Sequence, residues 1–179
     1  HWCFSNYWNY ESIYMKKINL VIYGATGSIG KSVLSVVRSN REKFNIQGIT
    51  CNQNISKLLK IANEFDVKKI GTNKKIKKQI KELNNYLVYE NISTFDQLVD
   101  SKTNFIIFAI SGLAGLDLIL SLIRSGKKIG IANKECIISL GRNLSKIANK
   151  HLTEVVPLDS EHNSIYHLLK NNFGLFKSI

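Results

Sequence analysis

Four short stretches carry residue types and spacings suited to chemistry. The first is Gly24-Ala25-Thr26-Gly27-Ser28-Ile29-Gly30, a G-x-x-G-x-x-G turn. A β-branched, apolar run precedes it and an amphipathic run follows, so it reads as strand, glycine turn, helix, the opening of a dinucleotide-binding βαβ unit. Backbone N–H groups of Thr26, Gly27, Ser28 and Ile29 would point at phosphates, and the helix dipole favours the same negative charge. The second is Thr50-Cys51-Asn52-Gln53-Asn54. An Asp or Glu at the end of the second strand holds an adenine ribose 2′-hydroxyl and selects NAD. This segment has no carboxylate to repel a 2′-phosphate, which favours NADPH, and Lys57 is the nearest cation. The third is Ala132-Asn133-Lys134-Glu135. It is either ordinary polar surface or a site in which Lys134 holds a substrate oxygen while Asn133 and Glu135 touch the cofactor.

The fourth stretch, Pro157-Leu158-Asp159-Ser160-Glu161-His162-Asn163, holds two carboxylates two residues apart. In an extended segment such residues project to one side. Asp159 and Glu161 would then form a hard-oxygen half-site for Mg²⁺ or Mn²⁺. The same carboxylates could instead cap a helix beginning near Ser160; spacing alone leaves both readings open. His162 reads as a structural hydrogen-bonding residue, and His151 and His167 lack partners.

Regular elements must bring these stretches together. Hydrophobic periodicity predicts strands over 17–23, 44–51, 67–70, 86–89, 104–110, 127–131 and 152–156. It predicts helices over 28–40, 55–65, 73–83, 93–100, 112–124 and 137–149. Ile29, Val33, Val36 and Val37 share one face of the first helix, and Leu58, Leu59 and Ala62 turn inward on the second. The run 104–110 is apolar enough to be buried on both faces. Strands alternating with helices imply an α/β fold, a doubly wound, mostly parallel sheet with right-handed crossovers. Ligands bind such sheets at the carboxyl ends of the strands, where all four stretches fall.

Composition narrows the function. With 179 residues and 44% hydrophobic content, the chain can build one domain with a real core and the start of a second. No apolar run approaches the ~20 residues that span a bilayer. Cys3, Cys51 and Cys136 are far apart, which suits a reducing compartment and gives neither a disulfide framework nor a zinc knuckle. The net charge of +12 rests almost wholly on lysine, with arginine only at 38, 41, 124 and 142. Together with abundant asparagine and isoleucine, this reflects AT-rich codon usage better than a nucleic-acid surface. The densest cluster, 68–81, falls on an expected solvent-facing helix. Residues 1–14 are aromatic and aperiodic and lack the plan of a signal peptide; they read as an unstructured or non-native leader before Met15.

The segments G-A-T-G-S-I-G, A-N-K-E and P-L-D-S-E-H-N together resemble 1-deoxy-D-xylulose 5-phosphate reductoisomerases. The resemblance runs from about Lys17 to about His167 and includes Val36-Val37-Arg38 and 112–128. D-S-E-H-N is its most specific string. It implies a Rossmann-like NADPH-binding domain over 15–157 and the beginning of a catalytic α+β metal and substrate domain over 158–179. Cofactor contacts carry over to Thr26, Gly27, Ser28, Ile29, Asn52, Gln53, Asn54, Asn133 and Glu135. Lys134 carries over as a substrate-binding, catalytic lysine. Asp159 and Glu161 carry over as catalytic metal ligands, with Ser160 and Glu161 as substrate contacts. Ala25 stands where a serine is usual and Leu158 where a valine is. Asn52 and Gln53 stand where a glycine and a basic residue are common.

The implied reaction converts a small phosphorylated sugar, 1-deoxy-D-xylulose 5-phosphate, to 2-C-methyl-D-erythritol 4-phosphate in the non-mevalonate route to isoprenoids. It rearranges the carbon skeleton and then reduces an aldehyde, using NADPH and Mg²⁺ or Mn²⁺. The family also implies a homodimer, a cytoplasmic or plastid setting, and no nucleic-acid or membrane partner. Its third metal carboxylate, substrate-phosphate groups and lid fall after position 179, so a chain of this extent is expected to bind NADPH weakly and not to turn over. Two rivals remain: a semialdehyde-type dehydrogenase, which needs a cysteine nucleophile such as Cys136, and a non-catalytic NADP-binding module.

Overall fold

A computed structural model describes residues 16–75 and 81–158. Among these, β1 (Ile18–Tyr23), β2 (Phe44–Cys51), β3 (Lys69–Thr72), β4 (Leu87–Glu90), β5 (Phe105–Phe108), β6 (Lys128–Ile131) and β7 (Val155–Pro157) form one sheet. The order is β4-β3-β2-β1-β5-β6-β7, and every adjacent pair is parallel. The chain builds outward from β1 to β4, then returns to the other flank of β1. That reversal puts the topological switch point between β1 and β5, where ligands bind sheets of this kind.

β1 is central because both of its faces are apolar. Alternate side chains leave a strand on opposite sides. Leu20 and Ile22 therefore enter one core with Val33, Leu34 and Val37 of α1 (Ser28–Arg38) and Leu58, Leu59 and Ala62 of α2 (Ile55–Phe65). Val21 and Tyr23 enter the other, with Phe95, Leu98 and Leu118, Ile119 and Leu122 of α3 (Leu116–Ile123). All four residues Phe105, Ile106, Ile107 and Phe108 of β5 are fully buried, as their unbroken apolar run requires. The Tyr23 hydroxyl enters that core only because it donates to the Phe95 carbonyl at 2.8 Å.

Five strands and the first two helices lie close to where periodicity puts them; β3 begins two residues later than expected, β7 keeps only the end of 152–156, and the later helices differ. No helix begins at 73. The Asn73 N–H donates to the Asn52 carbonyl at 2.9 Å and the Lys74 N–H to Thr72 Oγ1 at 3.1 Å, which ties this backbone to the end of β2 and β3. The described residues near the end of the expected helix form a 3₁₀ turn, Lys81–Asn85. Residue 69 of the lysine cluster lies in β3, where its ammonium meets Asp100 at 2.8 Å. Residues Ile92–Leu98 are also 3₁₀ rather than α. The Thr94 hydroxyl there bonds the Glu90 and Asn91 carbonyls, the local competition that weakens α-helix formation. Residues Leu113–Gly115 are a 3₁₀ turn leading into α3. The last helix, α4 (Lys134–Lys150), starts three residues earlier than its apolar pattern suggests and is interrupted at Gly141 (φ 46°, ψ −131°).

Candidate functional site

The glycine turn is held from below by one buried residue of β2. Thr50 Oγ1 accepts the Gly24 N–H at 3.0 Å, and its carbonyl accepts the Ala25 N–H at 2.8 Å. Gly24 adopts φ +82°, and a Cβ on it would lie 2.5 Å from the Ala109 carbonyl oxygen at the end of β5. A Cβ on Gly30 would meet the Gly24 oxygen at 2.4 Å and the Ala25 Cα at 2.6 Å. The turn thus folds onto its own helix, a contact that no larger residue permits. Gly27 is exposed and is the N-cap of α1, with no side-chain cap and no acidic residue in the first turn. The leading amides and the positive end of the helix dipole are therefore left for an external anion.

Above the turn lies a cleft of about 240 Å³. Thr26, Gly27 and Asn52 line one side, and Ala109, Ile110 and Ser111 the other. It sits at the switch point, over the carboxyl ends of β1, β2 and β5. The Gly27 N–H turns in to the Gly24 carbonyl at 3.0 Å, so the amides left outward are those that open α1. Beside a trough walled in part by Ala109, Ile110 and Ala114, they fit the pyrophosphate and one flat end of a dinucleotide.

The far wall is shaped by Asn133, which is buried. Its Nδ2 donates to the Ile110 and Gly112 carbonyls, both at 2.7 Å, and its Oδ1 accepts the Cys136 N–H at 3.0 Å. One side chain therefore caps α4 and fixes the loop after β5. That cap starts α4 at Lys134, and it leaves Lys134 and Glu135 exposed in the first turn of the helix.

Of the residues expected at the cofactor, Thr26, Gly27 and Asn52 share the cleft, and Ser28 and Ile29 open α1 beside it. Gln53 and Asn54 are exposed on the next turn. Asn54 Oδ1 caps α2 by accepting the Lys57 N–H at 3.0 Å. Asp159, Ser160, Glu161, His162 and Asn163 lie outside the described residues, as does the leader 1–14. Among the described residues no three His, Cys, Asp or Glu side chains gather as a metal site. Thr50 stands in the second of the four stretches with no role of its own, and the loop 109–112 stands in none of them. A lone threonine ending an apolar strand, and a Ser-Gly pair after the most apolar one, were the available signals.

Cys136 does not suit a nucleophile. It is fully buried, and both burial and the neighbouring Glu135 push its thiol up, away from the thiolate. This removes the feature on which the semialdehyde-type rival rests.

Residues 20–141 match the sequence profile of 1-deoxy-D-xylulose 5-phosphate reductoisomerase. The chain belongs to that family. A reductoisomerase of Pelagibacter ubique is 38% identical over 172 residues, a match covering 88% of this chain and 42% of the relative. The chain thus spans less than half the length of such relatives. A solved structure of the Zymomonas mobilis reductoisomerase in complex with NADPH superposes with a TM-score of 0.72 at 27% identity, covering 85% of this chain and 41% of that one. A reductoisomerase solved with NADPH, fosmidomycin and magnesium gives 0.72 at 33% identity, covering 84% and 38%. The fold is accordingly the Rossmann-like domain of this family. No described helix is long and apolar enough to cross a membrane.

Proposed function

We propose that this chain provides the NADPH-binding part of a reductoisomerase that converts 1-deoxy-D-xylulose 5-phosphate to 2-C-methyl-D-erythritol 4-phosphate. The observation that carries the reading is the family match over 20–141, which includes the glycine turn, the switch-point cleft and the Asn133 wall in one sheet. Residues 15–157 form the cofactor domain in this reading, and 158–179 begin the catalytic one.

The chain's own residues bind and orient the ligands. The amides of Ser28 and Ile29, with Thr26 and the side-chain-free surface of Gly27, hold the pyrophosphate. The neutral Asn52, Gln53 and Asn54 segment receives the adenosine end. Asn133 and Glu135 border the nicotinamide end, and Lys134, with its charge at the rim, holds a substrate oxygen. Asp159 and Glu161 would hold the divalent cation, and Ser160 the substrate. The bound cofactor supplies hydride and the cation Lewis acidity. The reading includes a homodimer and a cytoplasmic setting, for which the two buried free thiols, Cys51 and Cys136, are suited.

The test joins binding to turnover. The 179-residue chain is expected to enhance NADPH fluorescence without consuming NADPH when given 1-deoxy-D-xylulose 5-phosphate and Mg²⁺. The same sequence within a protein as long as its relatives should consume it and be inhibited by fosmidomycin. In that longer protein, Asp159→Asn should abolish turnover and keep NADPH binding. Retained turnover would defeat the assignment, and failure to turn over the substrate before mutation would leave a nucleotide-binding module.

A further inference from the structure

The segment expected to manage the adenosine ribose is neutral, and its last residue is already engaged. Asn54 caps α2, and the Asn52 carbonyl takes the Thr72 hydroxyl and the Asn73 N–H. A dianion at that ribose needs cations from elsewhere. The first turn of α2 provides one. Lys57 turns back from it, and its Nζ donates to the Thr26 carbonyl of the glycine turn at 2.7 Å. The Lys31 ammonium, from α1, stands beside it.

Three lysines of the domain find carboxylates: Lys68 with Asp66, Lys69 with Asp100 and Lys128 with Glu154. Among the described residues neither Lys31 nor Lys57 has such a partner. Two like charges are therefore held together at the seam between the glycine turn and the β2–α2 loop, next to Thr26 and Gly27 of the cleft. Desolvation and the Lys31 charge both push the Lys57 ammonium down, toward losing its proton. An anion bound between the two would reverse that repulsion.

We propose that Lys57, assisted by Lys31, binds the 2′-phosphate of the cofactor's adenosine and so selects NADPH over NADH, supplying the positive charge that Asn52 and Gln53 lack. This rests on the reading of the cleft as a nicotinamide-dinucleotide site. A ribose 2′-phosphate carries close to two negative charges at neutral pH and offers three acceptor oxygens. Lys57 has two N–H donors left after its bond to Thr26, and Lys31 has three. The bond to Thr26 also fixes the cation relative to the pyrophosphate turn, so one side chain sets the distance between the two phosphate sites.

The test is fluorescence titration of the protein with NADPH and NADH. The unsubstituted protein should prefer NADPH. Lys57→Gln should weaken NADPH by about tenfold while NADH changes by less than about twofold, the scale of one lost charge-assisted hydrogen bond. Lys57→Arg should restore the preference. Lys31→Gln, which leaves the Thr26 bond intact, should weaken NADPH by about threefold, as expected of an exposed charge, and that loss should shrink in high salt. Equal loss of NADPH and NADH in Lys57→Gln would mean that Lys57 only braces the turn, and would overturn the inference. So would an unsubstituted protein that binds both cofactors equally, although the cofactor site itself would then stand. Failure to bind either cofactor would instead sink the functional reading, and this inference with it.

Discussion

The two walls of the cleft are built on opposite plans. The wall at β1 is shaped by what is missing: glycines at 24 and 30 let the backbone fold within 2.4–2.5 Å of where a Cβ would sit, and the helix amides stay free. The wall at β5 and β6 is shaped by what is present: Asn133 spends both amide hydrogens and its oxygen on the loop and helix that flank it. A backbone-built wall presents its hydrogen-bonding groups outward, to a ligand. A wall held by a side chain consumes those groups, leaving shape. The first suits a charged pyrophosphate, the second the uncharged face of a ring.

Substitutions on each wall test this contrast. Gly24→Ala should have the largest effect, because a side chain there needs φ +82° and collides with the Ala109 carbonyl. A loss of about 3 kcal/mol in urea unfolding is expected, with NADPH binding lost as well. Asn133→Ala should cost about 2 kcal/mol, combining a lost helix cap with two carbonyls stripped of their donor. Asn133→Asp keeps the cap acceptor but turns a carboxylate toward those carbonyls. If it unfolds no more easily than the parent, the wall does not depend on the amide hydrogens. Thr50→Val, nearly isosteric, should cost about 1 kcal/mol, since it removes only the acceptor for the Gly24 N–H.

The smallest effect belongs far from both walls. Arg38 and Arg41 meet Glu64 at 2.5 and 3.2 Å, all partly exposed, and both guanidiniums lie over the Phe65 ring. The Arg38 hydrogen bond, opposed in part by desolvation, holds the Glu64 carboxyl below its ordinary value of 4.5. A depressed acid stabilises the fold above its unfolded value and loses that contribution as pH falls through the folded one. Glu64→Gln should therefore cost less than about 1 kcal/mol at neutral pH, discounted for exposure. The difference from the parent should vanish in acid, and NADPH affinity should not change. A change in affinity would mean that the walls are coupled to the far end of α1.

The contrast also explains what the sequence disclosed. Glycine spacing is a direct record of backbone geometry, so the β1 turn, α1 and the parallel alternation of elements are legible in the sequence alone. Asn133 was legible as a cofactor contact at a strand end, but not as the residue that caps α4 and holds the loop before it. Its three bonds depend on where the 109–112 loop lies, and that depends on a strand far away in the chain. The helix expected from 73 does not begin there, for a similar reason: the backbone at 73 and 74 is claimed by bonds to Asn52 and Thr72, residues of neighbouring segments. Lys57 was visible as the nearest cation, but its reach to Thr26 required the two helices to be placed side by side.

The all-parallel sheet has a consequence for how the chain is made. Hairpins let a strand find its neighbour at once, but here every pairing waits for a crossover. Leu20 of the central strand gains Ile46 early, yet its other flank stays open until Phe105 has been synthesised. A nascent chain halted before β5 therefore exposes one apolar strand edge, together with the glycine turn that ends it. Translation speed across the 80s and 90s then sets how long that edge is open to a wrong partner.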